Sequence, residues 1–440
     1  MTFSPALVSI IIFTIILIAV GFYYRNKKLP EDYFMAGRKV GKWRMVASIF
    51  TLLGAGEIVT LTAFAYLFGF SGVSLFFGFL AGALFAAFMI PKIREQSDDY
   101  KPYTITDYIR NFIGTRSEKI FIVLQLIAIG SLLLVQVVVG GLLLSTLTTL
   151  SYPVAVIIIG AVIAIYLSLG GFHSILLTDL IQMAGMLFLL ILLLFTYNPA
   201  GASFSEIFSV TQNLIPAVDF IVLFIFGFFG VFSGADVYQR IFSAKSNKEA
   251  RKGLVYIAFL ITGFGFLMIL LGLKIFTQFP DANPNDAFFT FLASDLTGGL
   301  IAILSLFIIA SVFSSADTEL FLSSILVRKL FGKKKEMTRL QGIILVWIIA
   351  IVVSLLAINF TNLVDIYFTL LYAFLITGPV MLARVFNRGN DTIAFSGMLI
   401  SLILLPIFMI NGWLVGLYPL ILAIPPLLMF LVPAKKTNIV

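Results

Sequence analysis

Ser311, Ser314, Ser315 and Thr318 fall within one arc of a helix face at about 100° per residue, with Asp317 on one side of that arc and Glu319 on the other. They lie inside a long apolar segment, roughly 296–327, that ends in Arg328-Lys329. Hydroxyls and carboxylates in a helix of hydrocarbon length need a wet or protein-lined surrounding, because each intramembrane charge costs at least about 2.5–3.5 kcal/mol. Oxygen donors of this kind suit a small hard cation. The blander reading is that the hydroxyls only let helices pack closely or bond back to the preceding turn. The adjacent acid favours an ion site.

Two further stretches place polar groups at membrane depth. Thr51-Leu-Leu-Gly54-Ala55-Gly56-Glu57 sets two glycines and an acid in the middle of an apolar segment. Phe226-Gly227-Phe-Phe-Gly230-Val-Phe-Ser233-Gly234-Ala-Asp236 does the same further on. Glycine tolerates unwinding, so each predicts a broken helix that offers free carbonyls to a cation and free amides to a substrate. The alternative is simple close packing, as in small-xxx-small motifs, which would suffice for Gly227 and Gly230. Asp179, about two turns into another apolar helix, is expected to face the bundle interior and find a cation or hydroxyl partner.

The elements that carry these groups are membrane helices. The 440 residues are 60% hydrophobic and 11% charged, with a mean hydropathy of +1.10, far too apolar for a soluble protein. Spans are read at 5–24, 44–68, 72–91, 119–148, 153–168, 172–197, 217–240, 253–277, 296–327, 340–358, 363–386, 393–410 and 414–432. The first has no basic cluster before it and no small-residue cleavage site, so it reads as a retained helix. All Lys and Arg except Lys274 then fall in alternate loops, which predicts 13 spans with the amino terminus outside and the carboxyl terminus in the cytosol. The net charge of +8 is therefore topological and implies no nucleic acid. Loops are short, leaving no room for a separate soluble domain. The 96–117 loop has the pattern of a short interfacial helix, and His173 reads as an interfacial hydrogen bonder in a Gly-Gly-Phe-His loop between two spans. The absence of Cys excludes disulfide and thiolate chemistry.

Glu31-Asp-Tyr-Phe-Met-Ala-Gly-Arg38, Tyr103-Thr-Ile-Thr-Asp-Tyr-Ile-Arg110, Gly170-Gly through Thr178-Asp179, and Ser314-Ser-Ala-Asp-Thr318 occur in that order. Together, over about residues 30 to 390, they resemble the sodium:solute symporter family, which includes sodium–glucose, sodium–proline and sodium–sialic acid carriers. The resemblance implies an all-α polytopic membrane protein of the LeuT type, a five-plus-five inverted repeat with about 13 transmembrane helices. A single transporter domain over 1–440 would comprise an extra helix at 5–24, repeats at 44–197 and 217–386, and two last helices at 393–432.

The same resemblance implies a first Na+ site made by carbonyls of Thr51, Gly54 and Ser311 and hydroxyls of Ser314 and Ser315. A second, found only in some members, would use Asp179, Ser314, Asp317 and Thr318, with Asp317 standing where other members carry a hydroxyl. Substrate is expected near Ala55, Gly56 and Glu57, with Gln136, Ser233, Asp236 and Tyr372 as further candidates. The polar set of sugar-carrying relatives is largely missing. No Arg is read at mid-membrane, so the bidentate clamp expected of acidic-sugar carriers is absent. A small amino acid or similar metabolite fits best, its carboxylate held by amides at a helix break. A cationic substrate drawn by Glu57 is the other option.

The expected protein is thus a sodium-coupled importer in the cell membrane, working on a small molecule within the lipid bilayer as a monomer or weak oligomer. No nucleophile–base pair or phosphate loop suggests an enzyme. Two alternatives share the fold: a proton-coupled carrier using Glu57 or Asp179, and a sensor reporting to a separate partner. A channel would need a continuous polar pore, which acids this scattered do not outline.

Overall fold

With almost no water to satisfy backbone N–H and C=O groups, so apolar a chain must close its hydrogen bonds within helices. The computed structural model describes residues 5–24, 35–98, 100–196, 217–294, 298–331 and 338–434, and among them it contains helices and two isolated bridges. In chain order these are α1 (Pro5–Tyr24), α2 (Lys42–Phe50), α3 (Ala55–Phe68), α4 (Ser74–Asp98), α5 (Ile105–Phe112), α6 (Thr115–Leu147), α7 (Tyr152–Thr196) and α8 (Ala217–Ser233). They continue as α9 (Ala235–Ser243), α10 (Asn247–Gln278), α11 (Ala287–Ser294), α12 (Gly298–Phe331), α13 (Arg339–Asn359), α14 (Leu363–Val385), α15 (Asp391–Ile410) and α16 (Ile424–Leu427). Eight described helical stretches are long and apolar enough to cross a bilayer, or nine if the bent pair α8–α9 counts as one span. Residues 31–34 of the first motif, the 198–216 loop and the chain beyond 434 lie outside the described residues.

Both Gly-interrupted spans are broken. α2 and α3 part at Thr51–Gly54, and α8 and α9 part at Gly234 with a bend of 43°. The two broken spans meet at one end. There the Val40 N–H donates to the Ser243 carbonyl at 3.1 Å and the Lys245 N–H to the Val40 carbonyl at 3.0 Å. α2 leads away from this junction, whereas α9 leads into it. Gly227 serves close packing. The Leu75 carbonyl lies against it and the Phe224 carbonyl against Gly78, so a Cβ at either position would strike main chain between α4 and α8.

Burial separates the centre from the lipid-facing rim. In the most apolar window of α12, 83% of residues are buried, against 33% in α13 and in α15. The exposed side of α13 is Ile344, Ile348, Ile351, Val352 and Leu355, a face suited to lipid. The helix that carries the polar arc is therefore the most enclosed of the three.

Outside the spans, α5 occupies the loop where a short helix was expected. Its capping box pairs Thr104 with Asp107, whose Oδ2 accepts from the Tyr103 and Thr104 N–H groups at 3.0 Å each. Lys329 at the end of α12 holds it in place, 2.5 Å from Asp107 Oδ1 and 2.6 Å from Thr104 Oγ1.

Three features differ from the sequence reading. The spans expected at 153–168 and 172–197 form one continuous helix, α7, so His173 is in a helix and not in a loop. Gly170-Gly171 alone does not break it, because a glycine costs a helix interior only about 1 kcal/mol and no proline follows. The last expected span, 414–432, is a chain of short pieces, 3-10 turns at Tyr418–Ala423 and Leu428–Leu431 flanking α16. Pro419, Pro425 and Pro426 remove the donors that a regular helix needs there. The segment before α12, expected to be a loop, holds a further short helix, α11.

Candidate functional site

The polar arc of α12 faces the break in the α2–α3 span. Ser315 Oγ donates to the Thr51 carbonyl at 2.7 Å, joining residues 264 positions apart. Gly54 is where no side chain fits: a Cβ there would collide with Ser315 Oγ and with the Gln136 amide. The adjacent Ser314 donates through Oγ to Asp179 Oδ1 of α7 at 2.9 Å. Asp179 and Asp317 are electrostatic neighbours, and Asp179 Oδ2 and Asp317 Oδ1 are buried without a hydrogen-bond partner. Tyr166 stands beside Asp317 while its hydroxyl donates to the Phe313 carbonyl at 2.7 Å.

Orphaned carboxylate oxygens among hydroxyls and a bent-out carbonyl make a donor set for a hard, weakly demanding cation. Among the described residues no group of three or more His, Cys, Asp or Glu could hold a metal ion together. Ser311 is set apart from its neighbours, because its hydroxyl points at the Met186 sulfur, 3.4 Å away.

Arg240 overturns one reading of the sequence. Counted there as a loop residue, it is fully buried on α9. Its Nε and Nη2 donate to Ser48 Oγ at 3.0 and 2.8 Å, its Nη2 to Thr318 Oγ1 at 3.3 Å and its Nη1 to the Asp236 carbonyl at 3.3 Å. Asp236, Asp179 and Asp317 are its electrostatic neighbours. An arginine thus stands inside the bundle, beside the residues proposed to bind a cation. Its spacing of four from Asp236 was the signal available in the sequence. Ser48, one turn before Thr51, carried no comparable signal.

Beyond the break, Gln136 of α6 bridges two groups. It accepts from the Gly56 N–H at 2.9 Å through Oε1 and donates to Glu57 Oε2 at 2.8 Å through Nε2. Glu57 Oε1 is buried and has no partner. Glu57 and Asp236 line a cavity of about 120 Å³ whose walls include Phe76, Phe226, Tyr367 and Phe374, and among the described residues no basic side chain lines it. Ser233 and Tyr372 take other positions. The Ser233 hydroxyl donates to the Phe374 carbonyl at 2.9 Å, and the Tyr372 ring stacks with Phe368 at 5.9 Å. Ala55 opens α3 at the break, outside the cavity lining. Tyr367 and Glu319 were not singled out in the sequence. Glu319 is buried, both of its carboxyl oxygens lack partners, and Glu57, Asp236 and Asp317 surround it electrostatically.

The model of the sodium:solute symporter family matches residues 33–400. Among solved structures, the fold is similar to that of a Na+-coupled sialic acid symporter in a substrate-bound outward-open state that reveals a novel Na+ site. The TM-score is 0.77 at 19% identity, over 98% of this chain and 99% of that one. It is also similar to Mhp1, a nucleobase-cation-symport-1 family transporter, in a closed conformation with bromovinylhydantoin bound (TM-score 0.67, 15% identity, 92% and 94% covered). A manganese transporter of Eremococcus coleocola follows at a TM-score of 0.52 and 14% identity, with 92% and 89% covered. At these identities the likeness is one of fold.

Proposed function

Because the chain belongs to the sodium:solute symporter family, and so is a membrane transporter rather than an enzyme, we propose that it imports a small organic solute together with Na+ by alternating access. The observation that carries this is the Ser315 hydroxyl on the Thr51 carbonyl at 2.7 Å, which sets side-chain oxygens of α12 against a main-chain oxygen freed by a helix break. Na+ entering there would exchange that hydrogen bond for coordination by the Thr51, Gly54 and Ser311 carbonyls and the Ser314 and Ser315 hydroxyls. The second site of the proposal comprises Asp179, Ser314, Asp317 and Thr318. Its support is the pair of partnerless oxygens on Asp179 and Asp317.

The architecture of the proposal is a five-plus-five inverted repeat of about 13 spans, with repeats at 44–197 and 217–386, amino terminus outside and carboxyl terminus in the cytosol of a cell-membrane protein. The opposed directions of α2 and α9 at the Val40–Ser243 junction are what an inverted repeat requires. A cation bridging α12 and the broken span favours the arrangement in which the substrate cavity is complete, so each ligand raises the other's affinity. A cation falling through 100 mV supplies about 2.3 kcal/mol and a tenfold gradient about 1.4 kcal/mol more, enough for accumulation of order several hundredfold per Na+.

The test is thermal unfolding of the purified protein over a Na+ titration at constant ionic strength, with K+ as replacement. Stabilisation that saturates with Na+ and is lost in Ser315→Ala is expected. Stabilisation that follows pH and ignores Na+ would overturn the sodium reading and favour the proton-coupled one.

A further inference from the structure

We propose that the solute carried by this protein is an organic cation with an apolar body, held by Glu57 in the aromatic cavity beside the first helix break. The proposal rests on the transporter reading and names its substrate class.

A carboxylate substrate would need free amides at the break or a basic side chain in the cavity. Two amides at the break are already bound, and among the described residues no basic side chain lines the cavity. The Gly56 N–H at the start of α3 is already bound by Gln136 Oε1 at 2.9 Å, and the Ile58 N–H turns back to the Gly54 carbonyl at 3.1 Å. The charged groups that line the cavity among the described residues are both acids, Glu57 and Asp236. An anion placed there would meet like charges in a low-dielectric surround, which makes the repulsion severe.

The two acids are not equivalent. Asp236 has Arg240 four residues on as an electrostatic partner. Glu57, 1% exposed, is met by the neutral Gln136 amide and by backbone N–H groups at the break but, among the described residues, by no cation; its Oε1 has no hydrogen-bond partner, and the residue lines the cavity. Glu319, likewise partnerless, is an electrostatic neighbour of Glu57. A buried carboxylate left this way is costly unless a cation completes it. The rest of the cavity fits the other end of such a ligand. Phe76, Phe226, Phe374 and Tyr367 are walls that take a hydrocarbon or ring by burial and a cation by the faces of their rings. At about 120 Å³ the space is close to that of a cavity known to accept benzene, so the body is of single-ring size.

The experiment is a thermal-shift and calorimetric titration of the full-length protein, in Na+ and in K+, with probes that differ in head-group charge: benzylammonium, tetramethylammonium, benzyl alcohol and benzoate. Saturable stabilisation by at least one of the two ammonium ions, with neither the alcohol nor the acid matching it, is expected. Glu57→Gln should weaken that binding by at least about tenfold while leaving stabilisation by Na+ alone in place. Asp236→Asn should weaken it less. Benzoate or benzyl alcohol binding as well as benzylammonium overturns the proposal, and so does failure of both ammonium ions to bind while Na+ still stabilises. If Glu57→Gln does not fold, the wild-type charge series decides alone. Ammonium binding without any effect of Na+ would leave the substrate class standing and remove sodium coupling, so the two readings fail separately.

Discussion

Arg240 grips the Ser48 hydroxyl through two nitrogens, Nε at 3.0 Å and Nη2 at 2.8 Å, and so ties the second half of one broken span to the first half of the other. The same guanidinium reaches Thr318 on α12, so one side chain joins both broken spans to the helix that carries the polar arc.

Removing this guanidinium takes from Asp179, Asp236 and Asp317 the cation that each of them neighbours. Arg240→Ala is expected to destabilise the protein by about 3–5 kcal/mol, the usual cost of stripping one partner from a buried charge network. Ser48→Ala, which removes one acceptor, should cost about 1–3 kcal/mol. Thermal unfolding of both single variants and the double variant checks this. Because Ser48 acts through Arg240, the double variant should be little worse than Arg240→Ala alone.

Gly54→Ala and Gly263→Ala make a matched pair. The added methyl at Gly54 runs into Ser315 Oγ and the Gln136 amide, while at Gly263 nothing lies within 4 Å. The first is expected to destabilise by about 1–3 kcal/mol from overpacking and to abolish the response to Na+. The second sits inside α10 and should gain up to about 1 kcal/mol, since alanine favours the helix. Unfolding temperatures with and without Na+ separate the two effects.

Outside the membrane, Asp107 links pH to stability. Burial pushes its carboxyl up, but the Lys329 ammonium at 2.5 Å and the Thr104 and Tyr103 N–H groups outweigh burial and hold it below its ordinary 3.8. A carboxyl held lower in the folded than in the unfolded chain contributes stability above its ordinary value and loses it as pH falls through the folded one. Asp107→Asn should therefore lower stability at neutral pH, by about 1 kcal/mol from the lost charge pairing with Lys329, while its amide oxygen still accepts the cap N–H groups. The gap to the parent should close once pH falls well below 3.8. Unfolding curves of both proteins across that range test the sign.

The helix breaks were legible because glycine punctuates an otherwise apolar run, and chain direction makes both visible as Gly54 and Gly234. The polar arc of α12 was legible from helical period alone. Arg240 was not, because counting basic residues by loop assigns a cation at the end of an apolar stretch to water, while the bundle folds it inward against Ser48. α7 escaped for the opposite reason: a Gly-Gly pair was taken to end a helix that neighbouring residues are able to carry through. Tyr372 illustrates a third limit. Its helix was placed well, but which aromatic of α14 meets the cavity depends on rotation, and Tyr367 and Phe374 line it instead.

The serines of the arc should differ in their effect on Na+, and the difference follows from where each hydroxyl already points. Ser315 Oγ lies on the Thr51 carbonyl and Ser314 Oγ on Asp179, whereas Ser311 Oγ faces the Met186 sulfur. If Na+ binds at the break, the first two hydroxyls are ligands in waiting and the third is not; Ser311 would contribute main chain only. Ser315→Ala is then expected to raise the Na+ concentration for half-maximal stabilisation at least about tenfold, the equivalent of 1.4 kcal/mol, and Ser314→Ala to do the same. Ser311→Ala keeps its carbonyl and loses one weak sulfur contact, so its Na+ titration should stay within about threefold of the parent. Equal losses in all three would mean that the serines act through helix packing, and the ion site would have to be sought elsewhere.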